Sequence, residues 1–348
     1  MRIVVMLTDL LDVVGGLQSF NRAFVRALDE IAARRGWQVE VLALNDSGGR
    51  VPPVGPATRY TGFSGQRLRF AGASLAAGRR ADLVVCGHVH LMPVTLGLNG
   101  ARRVLVVHGV DVWKRLPPLQ RLGVRQADRI LSVSRFTRDE MARQNGLPPE
   151  QFAIFPNTIE PADDGASPAL PAGRFILSVS RLAETERAKG IDRVIEALPA
   201  VPEAQYVVIG DGADRSRLEQ LAERLGVRAR VHFVGRVPAE QLTAYYRGCE
   251  VFVLPSRKEG FGIVFLEAMS AGKPCIGARA GGVPEVIADG VTGLLVPPDD
   301  VASLGRALLE LLRDEPRRMA MGRAGRDRFE REFAYPRFRE RLETLLAN

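Results

Sequence analysis

Residues 251–272 read VFVLPSRKEGFGIVFLEAMSAG. A short β-branched and aromatic run, Val251 to Leu254, is followed by Pro255 and a polar stretch in which Gly260 and Gly262 flank Phe261. An apolar run from Ile263 to Met269 comes next, interrupted only by Glu267. This order predicts a buried strand, a glycine loop and a helix. The helix is expected to begin near Gly262 and to end at Gly272, with Pro274 beyond it as a stop.

Such a unit favours an anion. The first helical N–H groups, around Gly262 to Val264, have no partner inside the helix, and the positive end of the macrodipole lies behind them. Glycines let a ligand approach the backbone closely. Glu259 and Glu267 bracket the loop with seven residues between them. Amides suit phosphate oxygens, whereas ionised carboxylates are pure acceptors and suit hydroxyls. A ligand with central phosphates and hydroxyls at both ends is a nucleotide sugar. The blander alternative is an ordinary strand–helix unit with a solvated Glu259 and a half-buried Glu267.

The frame E-G-F-G-x-x-x-x-E, from Glu259 to Glu267, resembles the signature of the retaining GT-B glycosyltransferases of family 4. The resemblance extends over essentially the whole chain. It implies an α/β fold of two Rossmann-like domains facing across a cleft, with a C-terminal helix crossing back to the first. The length of 348 residues also suggests two domains. The expected division is an acceptor-side domain over residues 1–160, a linker over 161–173, a nucleotide-sugar domain over 174–334 and a crossover helix over 335–348. The linker is read from its Pro, Gly, Ala and Asp content.

Further along the resemblance, Ser180-Arg181 follows a predicted strand, Phe175 to Val179, and Lys189-Gly190 opens the next helix. Arg181 offers a planar fork and Lys189 a mobile point charge, both suited to phosphate. They match the family's basic pair, which implies diphosphate binding, although Glu184 and Glu186 lie between them. The family also implies that Glu259 holds a sugar hydroxyl and Glu267 the ribose. Backbone groups near Arg236 and Val237 would meet the base, and those of Phe261, Gly262, Ile263 and Val264 the phosphates. His108, before Gly109 at a strand end, would lie beside the transferred sugar. The diglycine Gly15-Gly16, between a first strand and a helix, would face the donor diphosphate. It is not G-x-G-x-x-G, so no dinucleotide fingerprint is present. His88 and His90 stand at metal-ligand spacing with no third ligand visible, so no metal site is expected.

Bulk properties bound the rest. The chain is 46% hydrophobic and 25% charged, as in globular proteins. Its apolar runs are strand-sized, short of the ~20 residues a membrane span needs. The N-terminus reads as a strand rather than a signal peptide. Three isolated cysteines suggest a reduced, cytoplasmic setting. Residues 1–150 hold 21 basic and 12 acidic side chains, which accounts for all of the net charge of +8. This predicts an anionic partner for that half, either an acidic acceptor or the inner face of a membrane. The segment Trp113 to Arg129, carrying Arg115, Arg121 and Arg125, is the expected contact, although Pro117-Pro118 breaks it. Aromatics make up only 6%, and no nucleic-acid motif occurs.

The expected activity is therefore transfer of a hexose, with retention, from a nucleotide diphosphate sugar to a glycan, lipid-linked or small-molecule acceptor. Family frequency puts a UDP-sugar first and GDP-mannose second. No D-x-D occurs in the chain, in keeping with cations in place of a metal. Glu259 as a nucleophile is a lesser alternative. A nucleotide-sugar 2-epimerase of the same fold and a non-catalytic binding protein are the competing functions.

Overall fold

The computed structural model describes residues 1–12, 15–47, 52, 54–160, 170 and 173–347. The chain divides into two compact units, Met1–Glu160 with Ala334–Asn348, and Pro161–Phe333. Most of the predicted linker, residues 161–169 and 171–172, lies outside the described residues.

Each unit is built on one parallel sheet. In the first, the strands are β1 (Arg2–Leu7), β2 (Gln38–Ala43), β3 (Thr58–Gly62), β4 (Leu83–Cys86), β5 (Arg102–Val107), β6 (Arg129–Ser132) and β7 (Phe152–Ile154). Their spatial order is β3-β2-β1-β4-β5-β6-β7. In the second, they are β8 (Phe175–Val179), β9 (Gln205–Ile209), β10 (Val231–Gly235), β11 (Val251–Leu254), β12 (Cys275–Ala278) and β13 (Gly293–Val296). Their order is β10-β9-β8-β11-β12-β13. Helices cover both faces, so the central strands are continuous apolar runs rather than alternating ones. β4 and β11 are buried along their whole length.

The order of the strands places the sites. In each sheet the chain winds outward from its first strand and then returns to that strand's other side. The reversal falls between β1 and β4 in one unit and between β8 and β11 in the other. Loops leaving two such strands part in opposite directions and open a crevice at their C-terminal ends.

The last helix, Tyr335–Ala347, packs on Gly16–Arg35 within the first unit. Phe338 reaches Phe20 at 5.7 Å and Phe155 at 4.5 Å between ring centroids. Glu30 accepts from Arg339 at 2.6 Å and from Tyr335 at 2.9 Å, and Glu343 accepts from Arg34 at 2.9 Å and from Arg35 at 2.7 Å.

The structure departs from the sequence reading at two places. The arginine-rich stretch 59–80 reads in the sequence as a short basic helix, but β3 comes first and the helix is Arg67–Gly78. Thr58, Tyr60 and Thr61 are strand formers, and the Tyr60 hydroxyl is held by Asp46 at 2.7 Å. A helix at Ala239–Gly248 has no counterpart among the predicted elements. In the segment 113–129, interrupted at Pro117-Pro118, only Pro118–Arg125 is helical, and its Leu119 and Leu122 are 63% and 49% exposed.

Candidate donor-binding site

The crevice between β8 and β11 gathers most of the residues singled out in the second unit. After β8 the chain passes Ser180-Arg181 and a 3-10 turn, Glu184–Lys189, before the helix Ile191–Ala197. After β11 come Pro255, the glycine loop and the helix Ile263–Ser270. The two loops are pressed together. The Arg257 N–H donates to the Ala188 carbonyl at 2.8 Å. Gly190 has φ +79, and a Cβ there would lie 2.7 Å from the Pro255 carbonyl oxygen. This contact brings Lys189 Nζ to 2.6 Å from Glu259 Oε2, with the side chains only 22% and 13% exposed. Glu259 takes one of the three ammonium donors, and the other two suit phosphate oxygens.

Glycines fix the same loop from its far side. The Gly282 N–H donates to the Glu259 carbonyl at 2.8 Å. Gly281, at φ +59, lies so close that a Cβ would stand 2.3 Å from that oxygen. Gly262, at φ +94, precedes the helix. Ile263 and Val264 are partly exposed at its first turn, where N–H groups lack intrahelical partners. The Phe261 ring is 3% exposed and meets Phe333 edge-on at 5.7 Å. Phe261 can therefore serve a ligand only through its backbone.

Glu267 stands about one turn into that helix. Its Oε2 accepts from the Tyr246 hydroxyl at 2.5 Å. Burial raises its pKa to about 7, against the lowering effect of that hydrogen bond. Tyr246 belongs to the unpredicted helix Ala239–Gly248 and packs 5.5 Å from Phe252. Pro238 at the helix start and Glu240 in the first turn are the signal the sequence carries for that helix.

The remaining donor-side candidates are placed differently. Arg181 is 67% exposed and donates to Glu186 Oε1 at 2.5 Å, which partly neutralises its charge. The Ser180 hydroxyl donates to the Arg181 carbonyl at 3.1 Å. Arg236 and Val237 follow β10, at the sheet edge two strands from β8, with Arg236 exposed.

In the first unit, the switch point between β1 and β4 is flanked by Gly15-Gly16 and by Gly87-His88. Gly15 and Gly16 open the helix Gly16–Arg35 with their backbone accessible. The buried Asp46, within a stretch that reads only as loop in the sequence, shapes the approach: its carboxylate accepts the N–H groups of Leu10 and Leu11 at 2.9 and 3.0 Å. His108 follows β5. Its Nε2 donates to the Gly87 carbonyl at 2.9 Å, which leaves Nδ1 unprotonated. Burial lowers its pKa to about 4, so it is neutral at pH 7. His88 Nε2 lies 3.7 Å from Asp111 Oδ2. Burial lowers His88 to about 3 and raises Asp111 to about 6. Arg115 and Arg125 are exposed, and Arg121 is partly so. Among the described residues no group of His, Cys, Asp and Glu has the arrangement of a metal site.

Known proteins share both the sequence and the fold. Residues 14–163 match Glycosyltransferase Family 4, and residues 163–328 match Glycosyl transferases group 1. A GDP-mannose-dependent alpha-(1-6)-phosphatidylinositol monomannoside mannosyltransferase of Mycolicibacterium smegmatis is 32% identical over 90% of this chain and 89% of its own length. The chain belongs to the group 1, family 4 glycosyltransferases. Its fold is the GT-B fold. Sucrose-phosphate synthase from Thermosynechococcus elongatus superposes with a TM-score of 0.80 at 23% identity, covering 100% of this chain and 98% of its own. The Anabaena protein HepE, solved in complex with UDP, superposes with a TM-score of 0.75 at 19% identity, covering 100% of both chains. At those identities the two structures bear on the fold alone. As a family 4 glycosyltransferase, the protein is an enzyme, and its second unit carries the Glu259–Glu267 signature.

Proposed function

We propose that this glycosyltransferase takes GDP-mannose and transfers mannose, with retention and without a metal, to a sugar-bearing or lipid-linked acceptor. The observation that carries the donor is the 32% identity, over nearly the whole chain, with an enzyme named for GDP-mannose. The preference for a UDP-sugar rests on family frequency alone, and the UDP-bound structure is only 19% identical. In the proposed arrangement, Lys189 and the amides from Gly262 to Val264 hold the diphosphate and stabilise its charge as it leaves. Arg181 joins them by exchanging Glu186 for a phosphate oxygen. Glu259 accepts from a mannose hydroxyl and Glu267 from the ribose, while the loop after β10 meets the base. Glu259 is ion-paired with Lys189, which suits an acceptor of hydroxyls better than a nucleophile. His108 is assigned to the acceptor side through its free Nδ1.

The donor is tested by thermal shift against GDP, UDP, ADP and their sugars. A ligand at 100 times its Kd adds ~2.7 kcal/mol of stability, several degrees for a domain of this size. GDP and GDP-mannose are expected to raise the melting temperature, and the other nucleotides are not. A shift with UDP alone returns the donor to the UDP-sugars. No shift with any nucleotide removes the assigned donor site.

For localisation, no helix among the described residues is long and apolar enough to cross a membrane. The exposed Leu119 and Leu122 share the helix Pro118–Arg125 with Arg121 and Arg125. Apolar and basic groups side by side suit the surface of an anionic bilayer. The protein is expected to sediment with phosphatidylglycerol liposomes at low salt, and to be released by high salt or by the double change Arg121→Glu and Arg125→Glu. Failure to bind at low salt assigns the basic side to an acidic acceptor instead.

A further inference from the structure

We infer that Tyr246 is a positioning residue for nucleotide recognition: its hydroxyl anchors one oxygen of Glu267 and leaves the other aligned for a ligand hydroxyl. The inference rests on the proposed role of Glu267 and adds a residue outside the signature that carries that role.

The geometry supports a fixed anchor. Tyr246 is 2% exposed, on the helix Ala239–Gly248, and its ring is packed against Phe252. A ring so held has little freedom, so the 2.5 Å hydrogen bond to Glu267 Oε2 sets the plane of the carboxylate. Glu267 itself is only partly buried, which keeps the site reachable. Buried Phe265, Leu266, Ala268 and Met269 lock the turn of helix that carries it. A carboxylate held at one oxygen can still accept at the other from a pair of adjacent hydroxyls.

The same bond controls protonation. Burial holds the Glu267 pKa near 7, and the Tyr246 hydroxyl acts in the opposite direction by favouring the ionised form. The thiols of Cys249 and Cys275 also face Tyr246, and burial raises both pKa values far enough to keep them uncharged at neutral pH. Tyr246 is itself held protonated, its pKa raised well above the usual phenol range by burial and by Glu267. The sign follows directly. Glu267 accepts from hydroxyls as the anion, so affinity is full above about pH 7 and falls as the pH drops through that value. Removing the Tyr246 hydroxyl raises the Glu267 pKa and moves the fall to higher pH.

The experiment is calorimetric titration of GDP, and of 2′,3′-dideoxy-GDP, between pH 5.5 and 8.5. It compares the unaltered protein, Tyr246→Phe and Glu267→Gln. Tyr246→Phe is expected to weaken GDP several-fold at pH 7, because less Glu267 is then ionised and its second oxygen is no longer held in place, and to shift the midpoint upward. The dideoxy analogue, having no ribose hydroxyls, is expected to bind both proteins alike. Because phosphate titration is common to both ligands, their difference isolates the ribose. If Tyr246→Phe weakens both ligands equally with no shift of midpoint, Tyr246 is only a packing residue and the inference fails. It also fails if Glu267→Gln weakens GDP while Tyr246→Phe changes nothing. If Glu267→Gln itself binds GDP normally, the underlying assignment of Glu267 fails first. Melting temperatures of the free variants show whether each remains folded.

Discussion

Lys189→Ala is expected to lower transfer by about 10²–10³-fold, the typical loss when one preorganised donor to a developing negative charge is removed. In the proposed reaction the charge develops on the departing diphosphate, and Lys189 stands at the switch-point crevice with its ammonium 2.6 Å from Glu259. A structural explanation competes, because Lys189 also neutralises Glu259. A double-mutant cycle separates them. If Lys189 serves only as a counterion, Glu259→Gln removes the need for it, and adding Lys189→Ala to Glu259→Gln brings no further loss. If Lys189 stabilises the leaving group, the second change still costs about two orders of magnitude. The assay follows kcat and KM with GDP-mannose in EDTA, since protein cations are assigned the leaving charge. A loss confined to KM would make Lys189 a ground-state ligand only. Turnover abolished by EDTA and restored by a divalent cation would overturn the metal-free assignment.

Much of this fold is legible because buried parallel strands are continuous β-branched runs. Phe175–Val179 and Val251–Leu254 have the bounds read from the sequence. The edge strand Thr58–Gly62 escapes such a reading because it alternates exposed and half-buried residues beside an arginine-rich helix. The signature residues are legible as a local motif, since Glu259, Gly262 and Glu267 share one loop and helix. Their pairings across the fold are not. Lys189 lies 70 residues from Glu259 in sequence. Only the placement of β8 beside β11 joins them, and no local pattern encodes a strand order. Tyr246 is hidden for the same reason: its contact with Glu267 spans 21 residues and a strand. Arg181 shows the converse, because a matching motif position does not fix a rotamer, and Glu186 holds its guanidinium.

Gly281→Ala is expected to reduce transfer by about 10²-fold, as a displacement of about 1 Å in a catalytic group can do, although residue 281 has no reactive side chain. Two penalties coincide there. The residue has φ +59, where a left-handed backbone costs a non-glycine residue about 1–2 kcal/mol. The added methyl would also lie 2.3 Å from the Glu259 carbonyl oxygen, a backbone atom that cannot rotate aside. The loop must move, and with it the 2.8 Å hydrogen bond from the Gly282 N–H and the carboxylate that meets Lys189. Gly290→Ala separates the two penalties. Gly290 has φ +74, and a methyl added there would meet nothing within 4 Å, so it bears the backbone strain without the clash. Both variants should lose a few degrees of melting temperature, and only Gly281→Ala should lose turnover. Equal activity in the two would mean that Glu259 tolerates displacement, and a residue that tolerates displacement is not holding the transferred sugar.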